Sequence, residues 1–320
     1  MLTRNRDRIG IAAVLGAAVC LGVLAGALMH GERGARTLSC QPFVLAFTFF
    51  LQGQRGLARR LRRAIRKGEL TVAYQPLVDL NTRAVVGAEA LARWTSDSDG
   101  AVSPDVFVKA AEGEGFVSEL TQFILHRVVD EFDDLLRRGS FAVTVNIAMQ
   151  DLNEAAFFEV LSQCVRSANI KPATIGFDLA ERATADRVAA IRAIGRLKSA
   201  GHRVYIDDFG TGFSSLSYLQ RLAADGIKID RGFTSAVGTQ SANAAAVPQL
   251  LDMASQLNLT VVVEGIETEE QLAYFRQAGR GILGQGWLFG APVPAAEFKK
   301  HYAPGVKYAV AASSAKALQA

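Results

Sequence analysis

The chain has 320 residues, 50% of them hydrophobic and 21% charged, which gives room for one large cored domain and something smaller. Its net charge of +4 and pI of 9.0 arise from local basic clusters, so they give no support to DNA or RNA binding. Three cysteines (Cys20, Cys40 and Cys164) make neither a disulfide framework nor a metal cluster, and four scattered histidines exclude a histidine-based metal site; any metal must be held by oxygen.

Residues Ile9 to Met29 form a run without charge, flanked by Arg4, Arg6 and Arg8. As a helix rising about 1.5 Å per residue it spans about 30 Å, the thickness of a bilayer core. A signal peptide is the competing reading, but the run is long for one and no small-x-small cleavage site follows it. The second apolar stretch, Leu38 to Leu51, is short of a normal span and taken alone reads as a buried or interfacial segment. With Arg4 to Arg8 inside, a second crossing would return the next basic block to the same side. Residues 1–54 are therefore expected to be a membrane anchor, a helical hairpin (9–29 and 38–51) with a tiny loop at His30 to Thr37. Residues 55–69 follow as a basic linker helix, with Arg55, Arg59, Arg60, Arg62, Arg63, Arg66 and Lys67 and no acid before Glu69. Leu57, Leu61 and Ile65 recur at i, i+4 and i+8, so this helix could lie on anionic lipid or pair with a second copy.

From residue 70 the pattern changes. Short apolar, β-branched runs at Thr71–Val78, Ala84–Ala92, Phe141–Ile147, Thr174–Leu179, Arg203–Ile206, Gly226–Ile229 and Thr260–Val263, with a weaker eighth around Ile282, predict strands. Helical patterns lie between them, at Ser118–Arg138, Glu154–Ala168, Thr184–Ala200, Ser214–Ala223 and Ala242–Asn258. Strands apolar on both faces and separated by helices indicate a parallel sheet covered by helices. Eight of them over residues 70–303 suit an α/β fold of the closed (β/α)₈ TIM-like barrel type, with 304–320 a flexible tail. No Gly-x-Gly-x-x-Gly follows the first strand, which weakens a dinucleotide-binding reading.

In such a barrel chemistry collects at the C-terminal ends of the strands, and there the unusual residues fall: Glu89, Asn146, Asp178, Asp207-Asp208, Lys228 with Asp230, Glu264 with Glu267, and Gln285. Singly, each could be a helix cap or a solvated acid. Together, Glu89, Asn146, Asp178, Asp207 and Asp208 would converge on one mouth, where carboxylates without cations repel and raise each other's pKa. An all-oxygen shell suits Mg²⁺ or Mn²⁺, and adjacent acids at Asp207-Asp208 can serve two ions that clamp a phosphate. Lys228 would act there as a point charge. The run Phe209 to Ser215 reads as a mobile turn opening a helix whose amides could receive phosphate.

Residues 70 to about 300 resemble the EAL-domain family of cyclic di-GMP phosphodiesterases. The matching stretches include Tyr74-Gln75-Pro76-Leu77-Val78, Glu89-Ala90-Leu91-Ala92-Arg93-Trp94, Asp207-Asp208-Phe209-Gly210-Thr211-Gly212-Phe213-Ser214-Ser215-Leu216, Lys228-Ile229-Asp230, Glu264-Gly265-Ile266-Glu267-Thr268 and Gln285-Gly286-Trp287-Leu288-Phe289-Gly290. The resemblance implies that Glu89, Asn146, Asp178, Asp207 and Asp208 bind two Mg²⁺ or Mn²⁺ ions. Lys228 and Glu264 would complete the catalytic group with Glu89 and Asp208, and Glu181 and Glu267 would brace the mobile loop. Gln75, Leu91, Arg93, Asp230 and Gln285 would contact substrate, and the product would be linear pGpG. It further implies a possible homodimer, while the positive-inside charge pattern puts the barrel in the cytoplasm at the bacterial inner membrane, with a possible protein partner.

Two departures stand out. The family's fourth-strand pattern Glu-x-Thr-Glu is here Asp178-Leu179-Ala180-Glu181; an aspartate carboxylate falls about 1.5 Å short of a glutamate's. One extra residue lies between Gly279 and Gln285, which puts the register of Gln285 in doubt. Both keep open an alternative, a catalytically inactive cyclic di-GMP receptor that signals through a membrane or protein partner.

Overall fold

The computed structural model describes residues 56–96, 100–210, 216–279 and 281–302. The expected anchor at 1–54, the loop residues 211–215 and the tail lie outside the described residues. Among the described residues no helix is long and apolar enough to cross a membrane.

All eight runs expected to be strands form strands, and these close into a barrel. Its staves are β1 (Thr71–Asp79), β2 (Val85–Ser96), β4 (Ala142–Ile147), β5 (Ile175–Ala180), β6 (Arg203–Phe209), β7 (Gly226–Ile229), β8 (Thr260–Val263) and β9 (Leu283–Gly284), with β9 pairing back onto β1. Two short strands the sequence did not signal, β3 (Gly100–Val102) and β10 (Val293–Pro294), flank β2 and β1.

The expected all-parallel sheet is corrected at one stave. β2 and β4 to β9 run parallel, but β1 is antiparallel to both its neighbours. The cause is local. Only residues 80–84 separate β1 from β2, far fewer than a crossover helix needs. Asp79 holds this turn by accepting from Asn81 N, Thr82 N and Thr82 Oγ1 at 3.0, 2.7 and 2.9 Å, and Arg83 turns the chain with φ of 59°. The chain consequently enters the barrel at its mouth, where Thr71 pairs with Arg93 near the C-terminal end of β2.

Side chains alternate across each strand. One set, including Val143, Val145, Phe177, Leu179, Val204, Ile206, Ile227, Ile229 and Val263, packs outward under the helices in the main core. The helix Val117–Arg138 answers it with Leu120, Ile124, Leu125, Val128, Phe132 and Leu136, and ends where Gly139 takes φ of 73°. Each such side chain, fully buried, contributes roughly 1.5–3 kcal/mol. Helix 56–67 belongs to the same core, with Ala58, Leu61, Ala64 and Ile65 buried and Leu57 packed against them. Its apolar stripe is covered by the barrel itself, which leaves the opposite face for lipid or a second copy.

The inward set is layered. Leu77, Tyr205 and Val262 form a small cluster of their own inside the barrel. Gly226 leaves room for the ring of Tyr205, since a Cβ there would stand 2.7 Å from it. Two residues closer to the mouth, each stave offers a polar side chain on the strand or just beyond it: Gln75, Glu89, Asn146, Asp178, Asp207, Lys228, Glu264 and Gln285.

Candidate functional site

This polar ring is organised by one cation. Lys228 Nζ, on β7 and almost fully buried, lies 2.7 Å from Glu264 Oε1, 3.1 Å from Glu89 Oε2, 3.2 Å from Asp178 Oδ2 and 3.4 Å from Asp207 Oδ1. Burial alone would lower its pKa, but Asp178, Glu89, Glu264 and Asp207 outweigh that and hold it well above the ordinary value. It stays an ammonium, a fixed charge and donor.

The carboxylates then divide by environment. Burial pushes Glu89 up, but the charge of Lys228 and hydrogen bonds from Asn146 Nδ2 (2.8 Å), Gln285 Nε2 (2.9 Å) and Lys228 hold it below the usual range. Asp178 is pushed up to about 7, first by burial and then by Glu89 and Asp207, against the pull of Lys228 and Thr144. Glu264 is pushed up to about 8 by burial and by Asp207 and Glu89, with Lys228 opposing. Asp208 is raised as well, by burial and by Asp207, with Arg182 and Lys228 opposing.

Asp207 and Asp208 share the mouth because β6 is irregular. Consecutive residues of a strand point to opposite faces, yet the register with β7 slips between Ile206 and Phe209, and Asp208 adopts φ of 55°. Such a bulge re-aims side chains, and aspartate tolerates the left-handed region better than most residues. Oxygens of Asp207, Asp208 and Glu264 thereby come within 4.8 Å of one another, while the Asp208 backbone N–H donates to Asp207 Oδ1 at 2.9 Å.

Donors that bear on a hard divalent cation are therefore at hand. Asp207, Asp208 and Glu264 form one oxygen cluster, and Glu89 and Asp178 meet the same Lys228 Nζ, with Asn146 on Glu89. Asp178 Oδ1 is buried with no hydrogen-bond partner, a polar atom whose burial is costly unless something such as a cation meets it. The set fits a divalent ion in the chemistry of its ligands.

The remaining expected residues fall as follows. Gln285 donates to Gln75 Oε1 at 2.7 Å as well as to Glu89, and Gln75 Nε2 donates to Gly290 O at 3.1 Å. The register doubted for Gln285 is settled by its backbone N–H, which donates to Val263 O at 2.9 Å. Leu91 and Arg93 follow Glu89 at period two toward the mouth, both half-buried, with Arg93 Nη1 on Ala92 O. Glu181 is buried and its Oε2 accepts the Gly210 N–H at 3.1 Å, at the root of the loop expected to move. Glu267 is exposed, and any contact with loop 211–215 lies outside the described residues. Asp230 is half-buried and caps the turn that follows it by accepting from Gly232 N.

Sequence reasoning missed Thr144 and Arg182. Thr144 Oγ1 donates to Asp178 Oδ2 at 2.8 Å, and Arg182 Nη1 reaches Asp208 Oδ2 at 3.3 Å. Thr144 stands two positions before Asn146 and so shares its inward face, a signal legible in the alternation. Arg182 carries no such signal.

Comparison with known proteins gives one coherent picture. The family model described as EAL domain matches residues 58–292. The probable cyclic di-GMP phosphodiesterase PdeB of Escherichia coli (strain K12) is 38% identical over 240 residues, covering 75% of this chain and 46% of that protein. Cyclic di-GMP phosphodiesterase NbdA of Pseudomonas aeruginosa is 31% identical over 284 residues, covering 87% of this chain and 36% of that protein. Among solved structures, the PaMucR phosphodiesterase in complex with c-di-GMP superposes with a TM-score of 0.70 at 31% identity, over 76% of this chain and 99% of that one. The chain thus spans half or less of the length of these curated relatives.

Proposed function

Because this chain belongs to the EAL domain family, we propose that it hydrolyses cyclic di-GMP, opening one phosphodiester to give linear pGpG. The observation that carries this reading is the single buried ammonium of Lys228 within 3.4 Å of carboxylates from four staves, Glu89, Asp178, Asp207 and Glu264. Acids gathered so closely around one cation are short of positive charge, and Mg²⁺ or Mn²⁺ would supply the rest. Glu89, Asn146, Asp178, Asp207 and Asp208 would hold two such ions, which would polarise the phosphoryl group and acidify a water.

The chain's own side chains do the following. Lys228 presents an N–H and a full charge to a phosphoryl oxygen or to the attacking water. Glu264, nearer the rim with its side chain 22% exposed, is placed to accept that water's proton. Glu89 is held in place by Asn146 and Gln285. Gln75, Leu91 and Arg93 line the approach and would contact guanine or phosphate, with Asp230 beyond them. We further propose that residues 1–54 anchor the protein in the bacterial inner membrane with the barrel in the cytoplasm.

The purified full chain with cyclic di-GMP and Mn²⁺ or Mg²⁺ should form pGpG, and Glu89→Ala should abolish that formation. Binding of cyclic di-GMP without turnover would replace the enzyme with a receptor. The shortened acid at Asp178 favours that alternative.

A further inference from the structure

The basic residues of helix 56–67 have no part in the chemistry above, and their arrangement is lopsided. Arg59, Arg60, Arg62, Arg63, Arg66 and Lys67 are all exposed, while the opposite face is consumed by the barrel core. Glu119 accepts from Arg62 and pairs with Arg66 at 3.7 Å, and Glu69 pairs with Lys67 at 3.4 Å. Arg62 and Arg66 share one acid, and Arg59 and Arg63 add to the excess, so the face is net positive.

Its position is set by the reversed first stave. Helix 56–67 leads within four residues into Thr71, whose partner Arg93 stands at the mouth end of β2. Glu119, which it pairs with, lies in the first turn of the helix Val117–Arg138. The face therefore sits at the catalytic end of the barrel. Residues 52–55, four in number, join it to the apolar stretch ending at Leu51. Fully extended they reach about 14 Å at ~3.3–3.6 Å per residue.

We propose that the basic face of helix 56–67 is a contact surface for anionic lipid headgroups, holding the mouth end of the barrel beside the membrane. This rests on the proposed anchor in residues 1–54. A tether of that length keeps the start of the helix within one or two Debye lengths of the headgroups, since the Debye length is about 8 Å at physiological salt. The contact is electrostatic only, because the side chains that could insert are already buried in the core. Each cation near an anionic surface strengthens adhesion about fivefold. A second copy of the chain is disfavoured as occupant, as two faces of like charge would repel.

The test uses the full chain in nanodiscs of phosphatidylcholine, with or without phosphatidylglycerol, and a nitroxide attached at Arg59→Cys. Collisions with a nickel chelate carried on lipid headgroups report how close the face lies. The expected result is several-fold more frequent collision when phosphatidylglycerol is present. That gain should disappear at about 1 M salt, where the Debye length is about 3 Å, and in Arg63→Glu/Arg66→Glu. Equal collision in both lipids, with the chain embedded in the discs, would overturn the contact surface alone. A chain that never enters discs of either composition would overturn the anchor and the surface with it. Broadening between nitroxides of two chains would assign the face to self-association instead.

Discussion

Addition of Mn²⁺ to the metal-free protein should expel protons, in a number that depends on pH. Asp178 and Glu264 have pKa values pushed up to about 7 and about 8. At pH 7 they hold roughly 0.5 and 0.9 of a proton, about 1.4 together. A divalent ion needs Asp178 as a carboxylate, and its charge at Asp207 and Asp208, whose oxygens lie within 4.8 Å of a Glu264 oxygen, drives off the Glu264 proton as well. The release should be about 1.9 protons at pH 6 and about 0.1 at pH 9, with apparent affinity climbing as pH rises between them. Calorimetric titration of Mn²⁺ in two buffers of different ionisation heat measures the number directly. Release near zero at pH 7, or release that fails to grow as the pH is lowered, would refute the account of a cluster short of positive charge. The same shifts fix the sign for stability. Both carboxyls ionise later in the fold than in the open chain, so their contribution is full below about pH 4 and lost as pH rises through 7 and 8. The metal-free barrel should therefore melt lower at pH 9 than at pH 6 on their account, and Mn²⁺ should remove that slope.

Thr144→Val deletes the donor to Asp178 Oδ2 without changing shape, a hydrogen bond to a charged group worth about 1.5–3 kcal/mol. Mn²⁺ affinity should drop roughly tenfold to a hundredfold by calorimetry, and Thr144→Ser should restore it; an unchanged affinity would remove Thr144 from the site. Lys228→Met should abolish pGpG formation and leave buried acids uncompensated, at about 3–5 kcal/mol. With about 2–4 °C lost per kcal/mol, the metal-free melting temperature should fall by roughly 6–20 °C at pH 7, and by less at pH 5; a variant as stable as the parent at both would contradict the arrangement. His202 is buried, its Nδ1 lies 3.0 Å from Ile175 O, and burial lowers its pKa. Its contribution to stability is full above pH ~6.5 and lost as pH falls through the lowered value. His202→Gln should flatten the acid limb of the melting curve against pH, and an unaltered limb would show that other groups set it.

Much of the barrel was legible because its signal is periodic. Buried strands such as Ile175–Ala180 and Gly226–Ile229 read as short apolar runs, and the helix Val117–Arg138 carries its core face at helical spacing. The reversal of β1 was readable too, from the length of the link to β2 rather than from either strand. Five residues cannot carry a crossover helix, and Asp79-Leu80-Asn81-Thr82 has the composition of a turn. β3 and β10 were invisible because they are three and two residues long, too short for a period to register. For helix 56–67 the stripe was read correctly, but its burial against the barrel was not foreseen. Amphipathic spacing says that one face will be covered, never by what.

In the site, the structure gives Asp178 a neighbour that its motif does not show. A side chain one methylene short should leave its carboxylate about 1.5 Å from where a glutamate would put it, and at sequence level that looked like a defect. The strand is not the only element that positions the acid. Here a second stave contributes: Thr144 is the β4 partner of Gly176, two residues before Asp178, and its hydroxyl reaches across to Oδ2. Gly176 permits this, because a Cβ there would lie 3.1 Å from Thr144 Cγ2, tight enough to disturb the rotamer. With Oδ2 fixed between Thr144 and Lys228, Oδ1 is the oxygen left over, buried and without a protein partner. The consequence of the shorter acid thus falls on how firmly one oxygen is presented, a property set by a threonine and a glycine outside the motif.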